Sequence, residues 1–256
     1  MIKFLRYLNS FLIRLGFNAK VISNLKYYPL FLKHKKEWLK NGGKINGNFM
    51  ILDDYKKEAG INKGHYFHQD LLVAQFIFEN NPKRHIDIGS KIDGFVSHVA
   101  SFREIEVLDI RELKNNKHKN IKFMQADITQ PCSDIGVTDS LSCLHALEHF
   151  GLGRYNDKID TDGHKKGLKN IIKLIETGGH LYLSFPIGAK DEVYFNAHRI
   201  FHPKSIFLEN DIMKKIKLKR FDYVDDSGEL HLNVKLENFP NNLKYGCGIY
   251  TFNKID

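Results

Sequence analysis

One stretch, His85-Ile86-Asp87-Ile88-Gly89-Ser90-Lys91-Ile92-Asp93-Gly94-Phe95, limits what this chain can fold into more than any other. It reads as a short buried strand that runs into a glycine-bearing turn. Phe95 to Phe102 then has the amphipathic pattern that opens a helix. A parallel strand delivered into a helix N-terminus through such a turn is where α/β proteins bind nucleotide-like ligands. Gly89 lets the backbone turn sharply and approach a ligand closely. Asp87, near the strand's carboxyl end, puts a carboxylate where a cationic group can meet it.

The spacing downstream repeats the theme. A second strand, Glu104 to Ile110, carries Asp109, twenty residues after Gly89, where a carboxylate grips ribose hydroxyls in dinucleotide-type sites. A third strand, Ile121 to Gln125, is followed by Ala126-Asp127-Ile128, and a fourth, Ser140 to Leu144, by His145-Ala146-Leu147-Glu148-His149. Four strands that each end in polar residues point to one shared rim of a sheet. A helix is expected from about His65 to Glu79, with Leu71, Leu72, Gln75, Phe76 and Phe78 mostly on one face and Asn80-Asn81-Pro82 ending it. Gly151 to Asp160 reads as a polar loop. A helix from Gly163 to Glu176 follows, capped by Thr161 or Asp162 and stopped at Thr177-Gly178-Gly179. His180 to Pro186 is a fifth strand, Phe195 to Pro203 a second polar segment, and Pro203-Lys204-Ser205 the start of a helix. Leu218 to Val224 and Gly248 to Asn253 are the last two strands.

From about His65 to Phe252 these residues resemble a class I S-adenosylmethionine-dependent methyltransferase. The resemblance implies an α/β, Rossmann-like sandwich with a mostly parallel seven-stranded sheet, a terminal antiparallel strand pair, and S-adenosyl-L-methionine as cofactor. It implies that the first loop, with Asp87, Gly89, Ser90, Asp93 and Gly94, surrounds the methionine part. Asp109 would bind the ribose, Asp127 with Ile128 the adenine, and His145 would lie close to the cofactor. The stretch from His145 to Tyr155, HALEHFGLGRY, resembles a bacterial domain-of-unknown-function family within that superfamily, often associated with surface-polysaccharide gene sets. The first loop departs from the commonest D-x-G-x-G-x-G form, with Lys91 in place of the middle glycine. A Lys beside a sulfonium is unfavourable, so Lys91 is expected to point to solvent.

Methyl transfer to a hydroxyl needs alignment and a proton acceptor, because an alcohol is a poor nucleophile at neutral pH. On a helical turn His145, Glu148 and His149 would share one face. The catalytic candidates are Glu148, His149 and His198, with His149 or His198 as the base. Arg154 and Arg199 can clamp a phosphate or carboxylate bidentately. Tyr155, Asp157 and Asp160 can hydrogen-bond sugar hydroxyls. His145-x-x-Glu148-His149 also has the inverted zinc-protease order. A strand end precedes it rather than a helix interior, and no third ligand is evident, so no metal is assigned.

With 256 residues there is room for one such domain, residues 61–256, after an N-terminal helical extension, residues 1–60. Ile2, Leu5, Leu8, Leu12 and Leu15 fall at helical spacing, with Lys3, Arg6 and Arg14 on the other side. This segment is expected to pack on the domain or on a second subunit of a homodimer, or to lie on a membrane surface as a basic amphipathic helix. It has no signal-peptide pattern, and no stretch reaches the roughly 20 apolar residues of a spanning helix. The cysteines Cys132, Cys143 and Cys247 form no close pair and no metal spacing, which suits a reducing compartment. The resemblance implies, with this compartment, a cytoplasmic O-methyltransferase, at most peripheral to the inner membrane. Its acceptor would be small and polar: a sugar, a sugar nucleotide or another capsule or lipopolysaccharide precursor. The net charge of +9 suggests RNA methylation as a rival, although no Asn-Pro-Pro-Tyr signature is present. Lys91 in the cofactor loop suggests a second rival, a methyltransferase-like binding module without catalysis.

Overall fold

The structure, a computed structural model, describes residues 23–131, 133–208 and 214–256. The chain divides into two compact units, residues 1–61 and 62–256. The expected amphipathic helix over Met1–Phe17, like Cys132, lies outside the described residues. Among the described residues of the first unit the longest element is α1 (Tyr28–Lys40), which carries Pro at its first turn, where the missing N–H costs nothing. Its last turn is closed by Trp38, whose indole N–H donates to the Lys44 carbonyl at 3.2 Å. No helix among the described residues is long and apolar enough to cross a membrane.

The second unit is built on one sheet. Its strands are β1 (His85–Ile88), β2 (Ile105–Asp109), β3 (Ile121–Gln125), β4 (Thr138–Leu144), β5 (Ile175–Ile187), β8 (Ile216–Val224), β9 (Leu230–His231) and β10 (Gly246–Lys254). The order across the sheet is β3-β2-β1-β4-β5-β10-β8-β9. The first five run parallel, and β10 is antiparallel to both β5 and β8. The terminal antiparallel pair is where the sequence placed it. The sheet has eight strands rather than the expected seven, because the two-residue β9 folds back on β8 through Tyr223 and Val224. A separate hairpin, β6 (Glu192–Tyr194) and β7 (His198–Ile200), replaces the expected polar loop after β5.

Helices α2 (His65–Asn80) and α3 (Ser97–Ala100) cover one face of the sheet, and α4 (Gly163–Lys173) covers the other. Alternation along the strands feeds both layers. Ile105 and Val107 pack with Val73, Ala74 and Ile77 of α2, while Ile86, Ile88 and Leu108 pack with Leu168, Ile171 and Ile172 of α4. The buried stripe of α2 is Gln69, Asp70, Val73, Ala74 and Ile77, not the expected one. Of the expected face, Leu72 and Phe76 are partly buried against the same core, whereas Leu71, Gln75 and Phe78 are exposed. Val73 and Ala74 are small enough to let the helix lie close on the sheet.

Two other elements differ from expectation. The last helix before β5 stops at Lys173, and β5 begins at Ile175, ahead of the Thr177-Gly178-Gly179 signal. That signal is an irregularity inside the strand, with Gly178 at φ +86° and the β4 register stepping from Ile175 to His180. After Pro203 there is only a short 3-10 turn, Ser205–Leu208, before the undescribed residues.

Candidate active site

The carboxyl ends of β1 to β4 form one rim, and two recesses open on it. The first is lined by Gly89, Asp109, Asp127, Ile128, His145 and His149, together with Leu108, Ile110, Arg111, Ala126, Phe150 and Tyr155. The second is lined by Ser90, Asp93 and Gly94 from the first loop, Lys91 beside them, and Tyr66, Gln69 and Asp70 from α2. The expected first-loop residues thus divide between the two recesses. Asp87 lines neither.

Asp87 is fully buried under the loop and pairs with no cationic side chain among the described residues. It accepts from the Ser90 N–H at 3.1 Å, the Ser90 hydroxyl at 2.8 Å and the Ser142 hydroxyl at 2.6 Å. Burial outweighs these bonds and pushes its carboxyl up to about 7. Behind it His85, between the Ser140 and Ser142 hydroxyls, is held down to about 3 by burial. The strand end is therefore stitched by neutral or weakly ionised groups, and the loop turns through Gly89 at φ +75°. A side chain there would meet Ala146 Cβ at 2.8 Å.

Asp109 stands at the end of β2 as expected, but its carboxylate is taken. Arg111 donates to Asp109 Oδ1 from Nε at 2.9 Å and from its backbone N–H at 2.8 Å, and a terminal guanidinium nitrogen reaches Oδ2. The same guanidinium lies 4.6 Å over the Tyr155 ring, and Arg154 flanks that ring at 5.3 Å. Asp127 accepts from the backbone N–H and hydroxyl of Thr129 at 2.9 and 2.7 Å. In the second recess burial raises the Asp70 carboxyl. Lys91 is exposed, as expected, but its Nζ sits 5.7 Å over the Tyr66 ring at the recess edge.

After β4 the chain does not continue as a helix through all five residues of His145-Ala146-Leu147-Glu148-His149. His145 takes a left-handed backbone, φ +49°, and only Leu147–His149 form a 3-10 turn. Glu148 is nonetheless buried between two imidazoles. It accepts from His145 Nδ1 at 2.8 Å, and His149 Nε2 is 3.6 Å away. Burial disfavours charge on His145, but Cys247 and Glu148 outweigh it and raise the ring. His149 Nδ1 donates to the Ala197 carbonyl at 2.7 Å, in the turn of the β6–β7 hairpin. Burial lowers its ring below the ordinary value.

The remaining residues mostly build the loop. Asp157 accepts from the N–H groups of Gly151, Gly153 and Tyr155. Asp160 pairs with Lys166 and caps Asp162. Arg199 is buried and donates to the carbonyls of Phe150, Glu148 and Thr161, so its guanidinium holds the loop rather than standing in the cleft. Arg154 is exposed and donates to Ala197 at 3.0 Å. His198 lies in β7 with its ring 5.3 Å from Tyr245, outside the first recess. Sequence reasoning missed Arg111 and the α2 residues Tyr66, Gln69 and Asp70. The signal for Asp70 was present as a carboxylate on the stripe it shares with Val73, Ala74 and Ile77.

The model of the family described as Caenorhabditis protein of unknown function, DUF268, matches residues 96–236. No curated protein matches the chain. Among solved structures, the N-methyltransferase NodS from Bradyrhizobium japonicum WM9, in complex with S-adenosyl-L-homocysteine, is similar at 13% identity. The match covers 75% of this chain and 89% of that one, with a TM-score of 0.51. The CcbJ methyltransferase from Streptomyces caelestis is similar at 10% identity over 80% of this chain and 96% of its own, with a TM-score of 0.51. The [4+2]-cyclase SpnF is similar at 9% identity over 77% of this chain and 88% of its own, with a TM-score of 0.53. At these identities the likeness establishes a Rossmann-like methyltransferase fold, which in SpnF carries a cyclase.

Proposed function

The chain belongs to the DUF268 family, and from that premise we propose that it is an S-adenosyl-L-methionine-dependent O-methyltransferase acting on a small polar acceptor. The observation that carries this reading is the pair of recesses at the carboxyl ends of parallel strands, each with the chemistry of one end of the donor. The first pairs an apolar slot (Leu108, Ile110, Ala126, Ile128) with the carboxylates of Asp109 and Asp127, which suits an adenosine. The second offers Asp70 to an α-ammonium and Lys91 to an α-carboxylate. The residues present therefore fit the cofactor, and Lys91 gains a role that does not bring it to the sulfonium.

Bound there, the cofactor supplies an electrophilic methyl group on sulfur. The chain supplies orientation and proton removal. His149 lines the first recess and its Nδ1–H donates a hydrogen bond to the Ala197 carbonyl, so in the neutral ring Nε2 carries the lone pair. A ring neutral at pH 7 can take the hydroxyl proton of an acceptor on Nε2, which has Arg154 Nη1 3.4 Å and Glu148 Oε1 3.6 Å away. This favours His149 over His198 as the base. Arg154 and Arg111 about Tyr155 favour an anionic acceptor. A sugar nucleotide of a capsule or lipopolysaccharide pathway is such an acceptor, and the resemblance of the stretch from His145 to Tyr155 supports that class. On the same reading the enzyme works in the cytoplasm, at most peripheral to the inner membrane.

Incubation with labelled methyl donor and a panel of nucleotide sugars tests the proposal. Label should enter one sugar, and His149→Ala should lower turnover by about 10²–10⁴-fold with donor affinity near the parent's. Absence of saturable donor binding would defeat it. It would favour the second reading, a binding module, to which Arg111 seated on Asp109 already lends support.

A further inference from the structure

We propose that His65, His145 and Cys247 bind a divalent transition-metal cation of the zinc class. Each offers one ligand atom, and the three atoms lie within 4.8 Å of one another. They come from the first residue of α2, the turn after β4 and strand β10, so no local sequence pattern gathers them. The fold brings two imidazoles and a thiol together behind the rim.

His145 carries the argument. Its Nε2 is buried and without a hydrogen-bond partner among the described residues. An unpaired buried ring nitrogen is unfavourable and calls for an explanation. Its Nδ1 donates to Glu148 Oε1 at 2.8 Å, so Nε2 is the ring atom left to serve as a ligand. A carboxylate behind a histidine in this way is the usual outer support of a metal ligand. The residue is held in place by a left-handed backbone, and its N–H donates to the Ser184 carbonyl at 2.9 Å. Non-glycine residues in that region cluster at functional sites. The His65 ring lies nearly parallel to that of His145, 5.3 Å away at 14°. The Cys247 thiol is fully buried and makes only long hydrogen bonds, donating toward Gln69 Oε1 at 3.8 Å and the Gly248 carbonyl at 3.7 Å.

Two nitrogens and a sulfur make a borderline-soft donor set, which suits zinc and disfavours magnesium or calcium. Zinc bonds of about 2.0–2.3 Å require the ligand atoms to draw together slightly, which the half-buried His65 can do by rotating its ring. On binding, the Cys247 thiol and the His145 Nε2–H give their protons to solvent as the sulfur–metal and nitrogen–metal bonds form. Three protein ligands leave a fourth tetrahedral position for water or a substrate oxygen, the pattern of catalytic rather than closed structural sites.

Cobalt titration of the chelator-stripped full chain tests the site. The parent should take up one equivalent of Co²⁺ with a thiolate-to-cobalt absorption band in the near ultraviolet, and Zn²⁺ should displace it. Cys247→Ser should abolish the band, His65→Ala should weaken binding at least about 10-fold, and His164→Ala should change neither. If Cys247→Ser does not fold, His65→Ala decides, because His65 is the least buried of the three. No saturable uptake, a band that survives Cys247→Ser, or unchanged affinity in His65→Ala would overturn the proposal. The titration uses neither donor nor acceptor, so its failure leaves the methyl-transfer reading untouched.

Discussion

Replacing Arg111 by Ala separates a donor-binding Asp109 from a merely structural one. Asp109 is nearly buried, at 8% exposure of its side chain, while Arg111 is 41% exposed. A ribose hydroxyl that donates to Asp109 must take lone pairs now held by the guanidinium. A charge-assisted bond of this kind is worth about 1.5–3 kcal/mol when well shielded. Solvent screening at a side chain this open brings it down to about 1 kcal/mol. The backbone N–H of residue 111 remains on Oδ1 in the variant, so only the side-chain share is released. About 1 kcal/mol corresponds to roughly five-fold in an equilibrium constant. Calorimetric titration with S-adenosyl-L-homocysteine should therefore show Arg111→Ala binding roughly five-fold tighter than the parent, and Asp109→Ala binding more weakly. Weaker binding in Arg111→Ala would mean that the guanidinium itself holds the ligand. Unchanged binding in both variants would remove Asp109 from the contact.

Two further outcomes follow from the geometry. A side chain at Gly151, φ +78°, would meet the Asp160 carbonyl oxygen at 2.0 Å, whereas one at Gly178, φ +86°, would meet nothing within 4 Å. Gly178→Ala should thus lose only the backbone strain of about 1–2 kcal/mol, and Gly151→Ala clearly more, with the loop after β4 opened; thermal unfolding compares them, and equal losses would refute the clash. Asp87 titrates near 7 when folded and near its ordinary value, 3.8, when unfolded. The folded state then binds its proton more tightly, so stability falls as pH rises from about 4 to about 7 and levels above, by up to roughly 4 kcal/mol. Urea midpoints should show a flatter slope over that window in Asp87→Asn, and parallel slopes would refute the shift.

What the sequence made legible was the part encoded by strand period and strand-end chemistry. Gly89, Asp109, Asp127 and His149 reach one recess because each sits at or shortly after the carboxyl end of a parallel strand, and parallel register aligns those ends. The second recess was only partly legible because a third of its lining is a helix face. Leu71, Leu72, Phe76 and Phe78 outweighed Gln69 and Asp70 by hydropathy, yet the sheet accepts the stripe with the smaller residues Val73 and Ala74. Arg199 and Asp157 look like ligands by composition. Their polar atoms are used inside the fold because the glycine-rich loop has few side chains of its own, and its carbonyl and N–H groups need partners, although Asp157 also borders the first recess. Arg111 could have been suspected, since a cation two residues past a strand-end carboxylate is within reach of it.

The stretch from His145 to His149 shows why residue identity and spacing were insufficient. On a continuous helix, histidines four apart would face one ligand, which is the premise of the inverted zinc-protease reading. The left-handed turn at His145 breaks that geometry. His145 then stacks with His65 under the α2 layer, while His149 turns toward Ala197 and lies edge-on to Tyr155. Glu148 stands between them with one oxygen near both rings and its other oxygen buried without a partner among the described residues. A change of charge at either imidazole is therefore felt by the other through one shared carboxylate. The base proposed for methyl transfer and the ligand proposed for the metal are two histidines on the same buried acid.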